Sequence, residues 1–582
     1  MNKADSLKIW KPAYEFRKEE SWSGILYKEP AGKHLLKKGF QVAEEFHPLE
    51  HDILWEKDIA VEMRDGVKIY TDVYRPTTDE KVPAIIVWSP YGKNSGNGDR
   101  YKNIFRQLGI DMKCVSGLQK WEGPDPDYWV GHGYAILHPD TRGIGKSEGD
   151  ITMVGTQEGR DGYDLVEWAA KQEWCNGKVS FAGTSYLTFS QWFIGAECPP
   201  HLACLQPSEG FTDAFRDLCR RGGMPDFVFA RGLQTNHQGN QRREDVYEEC
   251  QKYPFITNDL WQDKIAGLEN INVPVYVVAS YSNVLHTDGT FRGWRGVKSK
   301  DKWLRIHDNL EWPDFYNPKY IEDRRRFYDH FLKGIDNGWE NTPRVRYSLH
   351  DMEGGNRVDL PATEFPPVGT EYKKLYLNGV TRRLDAEPPA TDTPAVYDTE
   401  GGVFNRASFH LTFNHDTSFI GYPKVKLYLE ADGADDMDLF VYVQKLDRQG
   451  TLRYQYTFPC RDARSLDMLE PAGGLLKYVG SYGRLRVSRR HLDPKLSTDI
   501  IPVLSEDREE KLSKGQIVEV EIPLAPIGMT FYEGETLRLH ICGDNPNGGY
   551  YPNTFYKPDN HGRHIIHCGG KYQSYLQIGV LQ

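Results

Sequence analysis

The chain has 582 residues, which at roughly 150 residues per domain predicts two or three domains, enough to build a deep core and a cleft. Hydrophobic residues at 39% and charged residues at 27% fit a globular chain and exclude a disordered or fibrous one, and no stretch approaches the roughly 20 apolar residues that a membrane-spanning helix needs. Lys and Arg total 72 against 83 for Asp and Glu, a net charge of -11 without a dense basic block, which argues against a nucleic-acid partner.

The amino terminus, Met1 to Ser6, leads into charged and aromatic residues, with no apolar core of a secretory signal. Nine cysteines, an odd number with no CxxC pair, argue against a disulfide framework and a structural zinc. The expected compartment is reducing and cytoplasmic. Residues 1–57 carry turn signals such as Pro30-Ala31-Gly32 and no clear period, and are expected to form an arm packed on a larger body.

From residue 58 to 343 short apolar runs alternate with amphipathic segments. Val82 to Trp88, Ala135 to His138, Val179 to Ala182, Val273 to Ala279 and Trp303 to Ile306 read as strands, with Tyr163 to Gln172 as a helix, predicting an α/β domain with a mostly parallel sheet. Charged, helix-prone sequence over about 211–270 interrupts the alternation and is expected to cap one end of the sheet. After about Arg344 the period becomes 2: Val425, Leu427 and Leu429 alternate with Lys426, Tyr428 and Glu430, and Val518, Val520 and Ile522 with Glu519 and Glu521. Half-buried strands divided by Gly and Asp clusters predict an all-β jelly roll over 344–582.

The most informative run is Lys178-Val179-Ser180-Phe181-Ala182-Gly183-Thr184-Ser185-Tyr186-Leu187. A β-branched strand ends at Gly-Thr-Ser and passes into a helix, the pattern of a nucleophile elbow that lifts the Ser185 hydroxyl above the sheet edge beside a helix N-terminus. The fifth position of Gly-x-Ser-x-Gly is Leu187, and an ordinary structural turn is the competing reading.

Three further segments stand in order ahead of the serine: Met63-Arg64-Asp65-Gly66-Val67 with Asp72-Val73-Tyr74-Arg75-Pro76, then Ser89-Pro90-Tyr91-Gly92-Lys93, then Asp140-Thr141-Arg142-Gly143-Ile144-Gly145-Lys146-Ser147-Glu148-Gly149. With Ser185-Tyr186 and the late Gly534-Glu535-Thr536-Leu537-Arg538 and His567-Cys568-Gly569-Gly570, the set resembles cocaine-esterase-like (CocE/NonD) hydrolases and X-prolyl dipeptidyl aminopeptidases over roughly 58–582. The resemblance implies an α/β-hydrolase sheet with a helical cap and a jelly roll, Ser185 as nucleophile, and an oxyanion hole of the Tyr91 hydroxyl and the Tyr186 N–H. A phenol with a pKa of about 10 stays a neutral donor at neutral pH.

The rest of the triad departs from the family. Ser280-Tyr281-Ser282-Asn283 puts Ser282 where the acid is expected, and Ile306-His307-Asp308-Asn309-Leu310-Glu311-Trp312 puts Glu311 where the histidine is expected, so the standard triad reads as absent. One repair exchanges the roles, with His286 as base and Glu311 orienting it; His307, partnered by Glu209 or Glu311, competes. In the other repair Ser185 has no base, and Glu311 or a histidine moves a proton in different chemistry.

Bland readings stand beside each: a helix cap or polar turn for His286, and a hydrogen-bonded corner for Glu311-Trp312-Pro313-Asp314. Asp140, Arg142 and Glu148 are expected to shape a turn. His561, His564 and His567 have metal-like spacing but flank Ile565-Ile566 in a predicted strand, so neither a metal nor a cofactor is expected. The lead expectation is a serine-dependent esterase or amidase acting on a small-molecule substrate. A non-hydrolytic enzyme of the same fold, catalysing C–C bond formation, cyclisation or elimination, and an inactive binding or scaffold protein are the alternatives; a homo-oligomer stays open.

Overall fold

The computed structural model describes residues 3–15, 24–225, 228–402, 405–458, 476–545 and 558–582. Met1 and Asn2, at the head of the N-terminal arm, lie outside the described residues.

Eleven strands form the first sheet: β1 (Gly32–Leu36), β2 (Ile53–Glu62), β3 (Lys68–Pro76), β4 (Val82–Ile86), β5 (Ala135–Pro139), β6 (Cys175–Thr184), β7 (Gln206–Ser208), β8 (Val275–Ser280), β9 (Lys302–His307), β10 (Val345–Leu349) and β11 (Arg357–Ala362). Their spatial order is β11-β10-β9-β8-β7-β6-β4-β5-β3-β2-β1. From β5 to β10 neighbours run parallel, and the remaining pairs at both edges are antiparallel. Every residue of β4, β5 and β8 is buried, as expected for central strands covered on both faces. The runs read from the sequence each fall on one of these strands. The predicted amphipathic helix is α1 (Thr156–Ala170), which packs against α2 (Tyr186–Ala196).

Ten of the eleven residues of α2 are buried, so the helix leaving the elbow is enclosed rather than amphipathic. Among the described residues of the arm, two segments pair with strands of the body. Trp10–Pro12 pairs with Arg242–Glu244, and Gly32–Leu36 extends the sheet as β1. Between β7 and β8 the described residues make only short elements, including helices Val246–Lys252 and Asp259–Asp263, and the link between those helices meets the second domain, Ile256 N–H donating to Glu506 O at 3.1 Å.

The second domain is a largely antiparallel β-sandwich whose fourteen strands among the described residues run from Glu371–Asn378 and Arg383–Asp385 to Tyr575–Leu581. In Lys424–Asp432 the residues Val425, Leu427, Leu429 and Ala431 are buried while those between are half-exposed, and Val425 and Leu427 pair with Ile522 and Val520. This is the period of 2 made structural: one face meets the core and the other water. The sandwich reaches the hydrolase sheet through His350, which exchanges backbone hydrogen bonds of 2.9 Å with Gly528 and Thr530. It also reaches the loop after β9, where Gln455 Nε2 donates to Asp308 O at 3.2 Å.

Candidate active site

The turn between β6 and α2 is built around a close approach. A Cβ at Gly183, whose φ is +137°, would stand 2.2 Å from Leu187 Cδ2, so only glycine lets the helix fold back over the strand. Leu187, the departure from Gly-x-Ser-x-Gly, is the residue that fills that space. Ser185 itself has φ 60° and ψ -120°, a conformation costly for a side chain and held only by its surroundings. Its N–H donates to Glu209 O at 2.8 Å and to Ser208 O at 3.2 Å, fastening the elbow to the end of β7. The Ser185 side chain therefore stands at the head of α2 with 7% of the residue exposed.

Tyr91, on the loop after β4, packs its ring against Tyr101 and Tyr186 at centroid distances of 6.3 and 6.1 Å. Burial, and then the charge of Glu122, push its phenol well above its ordinary value, so it remains a donor at any working pH. Tyr186 directs its own hydroxyl away, to Glu158 Oε2 at 3.2 Å, leaving its backbone N–H as the part relevant to an oxyanion.

A further side chain facing the serine hydroxyl is one the sequence did not single out. Glu122, in the loop before Pro126–Gly131, has φ 67° and faces the hydroxyls of both Ser185 and Tyr91. Its Oε1 accepts from Trp312 Nε1 at 3.0 Å, while Oε2 is buried with no hydrogen-bond partner. Burial pushes this carboxyl up to about 8, against the pull of the donors around it. Trp121-Glu122-Gly123-Pro124 carries no period and no motif, and only the positive φ marks it.

Glu311 opens α4 (Glu311–Phe315) after β9 and is fully buried. Its Oε2 accepts from Asn283 Nδ2 at 2.7 Å, whereas Oε1 has no donor. Burial first, then the nearby charges of Glu209 and Glu122, hold its carboxyl well above the usual range. His286 lies 4.0 Å from that open oxygen, and both of its ring nitrogens are buried without a hydrogen bond. Its ring meets Phe189 edge-on at 5.5 Å, and burial, helped by Arg221, pushes it down to about 3. It occupies the N-cap position of α3 (Thr287–Gly296), but its side chain makes no capping bond.

His307, the last residue of β9, forms a buried ion pair with Glu209 at 2.8 Å. Burial alone would lower its pKa; Asp314, 3.9 Å from Nδ1, and Glu209 more than offset this and hold it above its ordinary value. Asp314 is in turn clasped by Arg305, whose Nη1 donates to it at 2.9 Å, and that pair anchors α4 beneath the site. Ser282, where an acid was expected, bonds Asn309 O at 3.3 Å and joins the loops after β8 and β9.

The structure thus brings Ser185 and Tyr91 to face the Glu122 carboxyl, pairs His307 with Glu209, and sets His286 beside Glu311. Among the described residues no histidine hydrogen-bonds the Ser185 hydroxyl. The three late histidines diverge: His564 bonds the Tyr397 hydroxyl, His567 lies between Asp392 and Glu430, and His561 is exposed. Asp140 is buried, with Lys93 and Lys120 offsetting its charge; Arg142 pairs with Asp161, and Glu148 accepts from Lys68 N–H, all at the sheet edge. No helix among the described residues is long and apolar enough to cross a membrane.

Comparison with known proteins agrees with this architecture. Residues 65–253 match the X-Pro dipeptidyl-peptidase (S15 family) pattern, and residues 337–577 match the X-Pro dipeptidyl-peptidase C-terminal non-catalytic domain. A CocE/NonD family hydrolase from Staphylococcus aureus is 33% identical, with a TM-score of 0.86 over 96% of this chain and 98% of that one. An aminopeptidase from a marine sediment Thaumarchaeota archaeon shares the fold, with 15% identity and a TM-score of 0.66 over 91% and 97% of the two chains. The cocaine esterase of Rhodococcus sp. (strain MB1 Bresler) is 31% identical over 159 residues, 27% of this chain and 24% of that enzyme.

Proposed function

The chain belongs to the CocE/NonD family of α/β-hydrolases, enzymes acting on ester or peptide bonds, and on that premise we propose that it transfers the acyl group of a small organic ester or amide to Ser185 and then to water. One observation carries the reading: Ser185 is held at φ 60° and ψ -120° at the head of α2, next to the phenol of Tyr91. A turn keeps that strain where it serves chemistry. On attack the carbonyl oxygen becomes an oxyanion, for which the Tyr91 hydroxyl and the Tyr186 N–H are the donors.

The proton relay is non-standard. In place of an Asp-His pair, the serine faces Glu122, whose charge also reaches Glu311; His286 lies beside Glu311, and Glu209 holds His307 as an ion pair. Simple esters are the expected first substrates, because their leaving groups need less help from an acid than an amine does. The reading is tested by turnover of p-nitrophenyl esters of increasing acyl length and of X-Pro amides, with Ser185→Ala alongside. Loss of at least about 10³-fold in the variant supports it, and equal turnover by both proteins contradicts it.

A second reading has its own observation. Two buried carboxyls held above their usual range, Glu122 and Glu311, lie near a phenol donor and no histidine bonds the serine. Those groups suit proton transfer to and from a carbonyl substrate without water uptake. Product analysis in 18O-labelled water separates the two: hydrolysis places the label in the acid released, and isomerisation or cyclisation does not.

A further inference from the structure

We propose that Glu122 is the general base for Ser185, and that accepting the serine proton frees Tyr91 to bind the oxyanion. The inference rests on the acyl-transfer reading and assigns the step that it leaves open. It begins from a conflict of hydrogen bonds. Tyr91 has one hydroxyl proton, and the carboxyl of Glu122 is the charged group its phenol faces. A substrate carbonyl bound to Tyr91 must compete with the carboxylate for it, unless the carboxylate loses its charge.

The reaction itself removes that charge. As Ser185 Oγ forms its bond to the carbonyl carbon, the hydroxyl proton passes to Glu122, which becomes a neutral acid. The carbonyl π electrons move to oxygen, and the new oxyanion outcompetes neutral Glu122 for the Tyr91 proton. When the tetrahedral intermediate collapses, Glu122 returns its proton to the leaving oxygen or nitrogen. Water then donates a proton to Glu122 as it attacks the acyl-enzyme, and that proton goes back to Ser185. No cofactor or outside oxidant enters the balance.

The surroundings fit this assignment. Trp312 Nε1 holds Glu122 Oε1 at 3.0 Å, so the carboxyl cannot swing away and Oε2 is the oxygen left to the hydroxyls. Thr184 N–H donates to Glu122 O at 3.2 Å, which fixes the backbone of the base to the residue before the nucleophile. The strained φ of 67° at Glu122 matches the strain at Ser185 across that bond. His286 shows no such link to the serine: it faces Glu311 and Phe189.

The titratable groups facing Glu122 are Tyr91 from the loop after β4, and Glu311 and Tyr316 from α4 and its end, with Ser185, Trp121 and Trp312 as neutral neighbours. Burial raises Glu122 to about 8, which is high enough for a carboxylate to act as a useful base near neutrality. His286 as base would behave differently, since burial pushes it down to about 3 and it would be fully deprotonated well below neutrality.

The test is the rate at which a fluorophosphonate labels the full-length chain between about pH 6 and about pH 10, followed by intact mass. The wild type is expected to label faster by about tenfold per pH unit below about 8 and to level off above it. Glu122→Gln is expected to lose at least about 10²-fold and its pH slope, while Glu122→Asp, checked for folding by its melting transition, keeps the slope at a reduced rate. Wild-type labelling with an unchanged rate in Glu122→Gln would overturn the base assignment alone. A folded wild type that never labels would overturn the nucleophile reading and this inference with it.

Discussion

Trp312 and Glu122 are joined by an indole N–H to carboxylate hydrogen bond of 3.0 Å, which ties the loop beside the nucleophile to the corner after β9. In the family pattern read from the sequence, that corner is where a catalytic histidine is expected; here it supplies a donor that holds a carboxyl against Ser185 and Tyr91. Trp312→Phe keeps the ring and removes only the donor. Losing a bond that favours the carboxylate raises the Glu122 pKa, so the midpoint of the rise in kcat/KM with pH for a p-nitrophenyl ester should move upward by about one unit. An unmoved midpoint would mean that Glu122 does not govern the rate.

Tyr91→Phe removes one donor from the proposed oxyanion hole and leaves the ring packing against Tyr101 and Tyr186 in place. The expected result is a fall in kcat of about 10²–10³-fold with KM nearly unchanged, since the bond is made only as charge develops. Steady-state kinetics on the best ester of the panel reads both numbers.

The Glu209–His307 pair predicts a structural effect with a definite sign. His307 has a folded-state pKa above its ordinary value, so its contribution is complete below about pH 6.5, where the unfolded histidine is also charged, and is lost as pH rises through the folded-state value. Glu209→Gln leaves a buried imidazolium without its partner and should cost about 3–5 kcal/mol at the acid end. Melting temperatures measured across that window should show the gap between wild type and variant shrinking as pH rises.

Ser185 stands where glycine would be more comfortable. Ser185→Gly should abolish esterase activity and yet raise stability by about 1 kcal/mol, the relief of strain at φ 60° exceeding the extra freedom glycine gives the unfolded chain. Denaturant unfolding of the two proteins measures it. A variant less stable than the wild type would mean that the serine side chain contributes to folding.

Periodicity made most of the fold legible. Runs such as Val82 to Trp88 are buried on both faces because they are central in a parallel sheet, and Val425, Leu427 and Leu429 alternate because their strand has one dry face. The elbow was legible for a local reason, since a β-branched strand ends at Gly183-Thr184-Ser185 and passes directly into a helix. The sequence also brought His307 together with Glu209 and His286 with Glu311 as candidate pairs, and the structure places them at 2.8 and 4.0 Å.

Glu122 was not legible. It reaches Ser185 through tertiary closure of an aperiodic loop, and its importance comes from burial and from a Trp312 donor far along the chain, neither of which leaves a trace in spacing. Ser282 was legible as the position where the expected acid is absent, but its contact was not. Its hydroxyl donates to Asn309 O at 3.3 Å and joins the loops after β8 and β9, a tertiary contact that spacing does not reveal.

The central claim is that Ser185 is an activated nucleophile in the absence of a histidine bonded to it. Intact mass after treatment with a fluorophosphonate, compared between the wild type and Ser185→Ala, tests it most directly. The account predicts a single adduct on the wild type and none on the variant. A folded wild type that remains unlabelled, or an adduct that persists in Ser185→Ala, would contradict it.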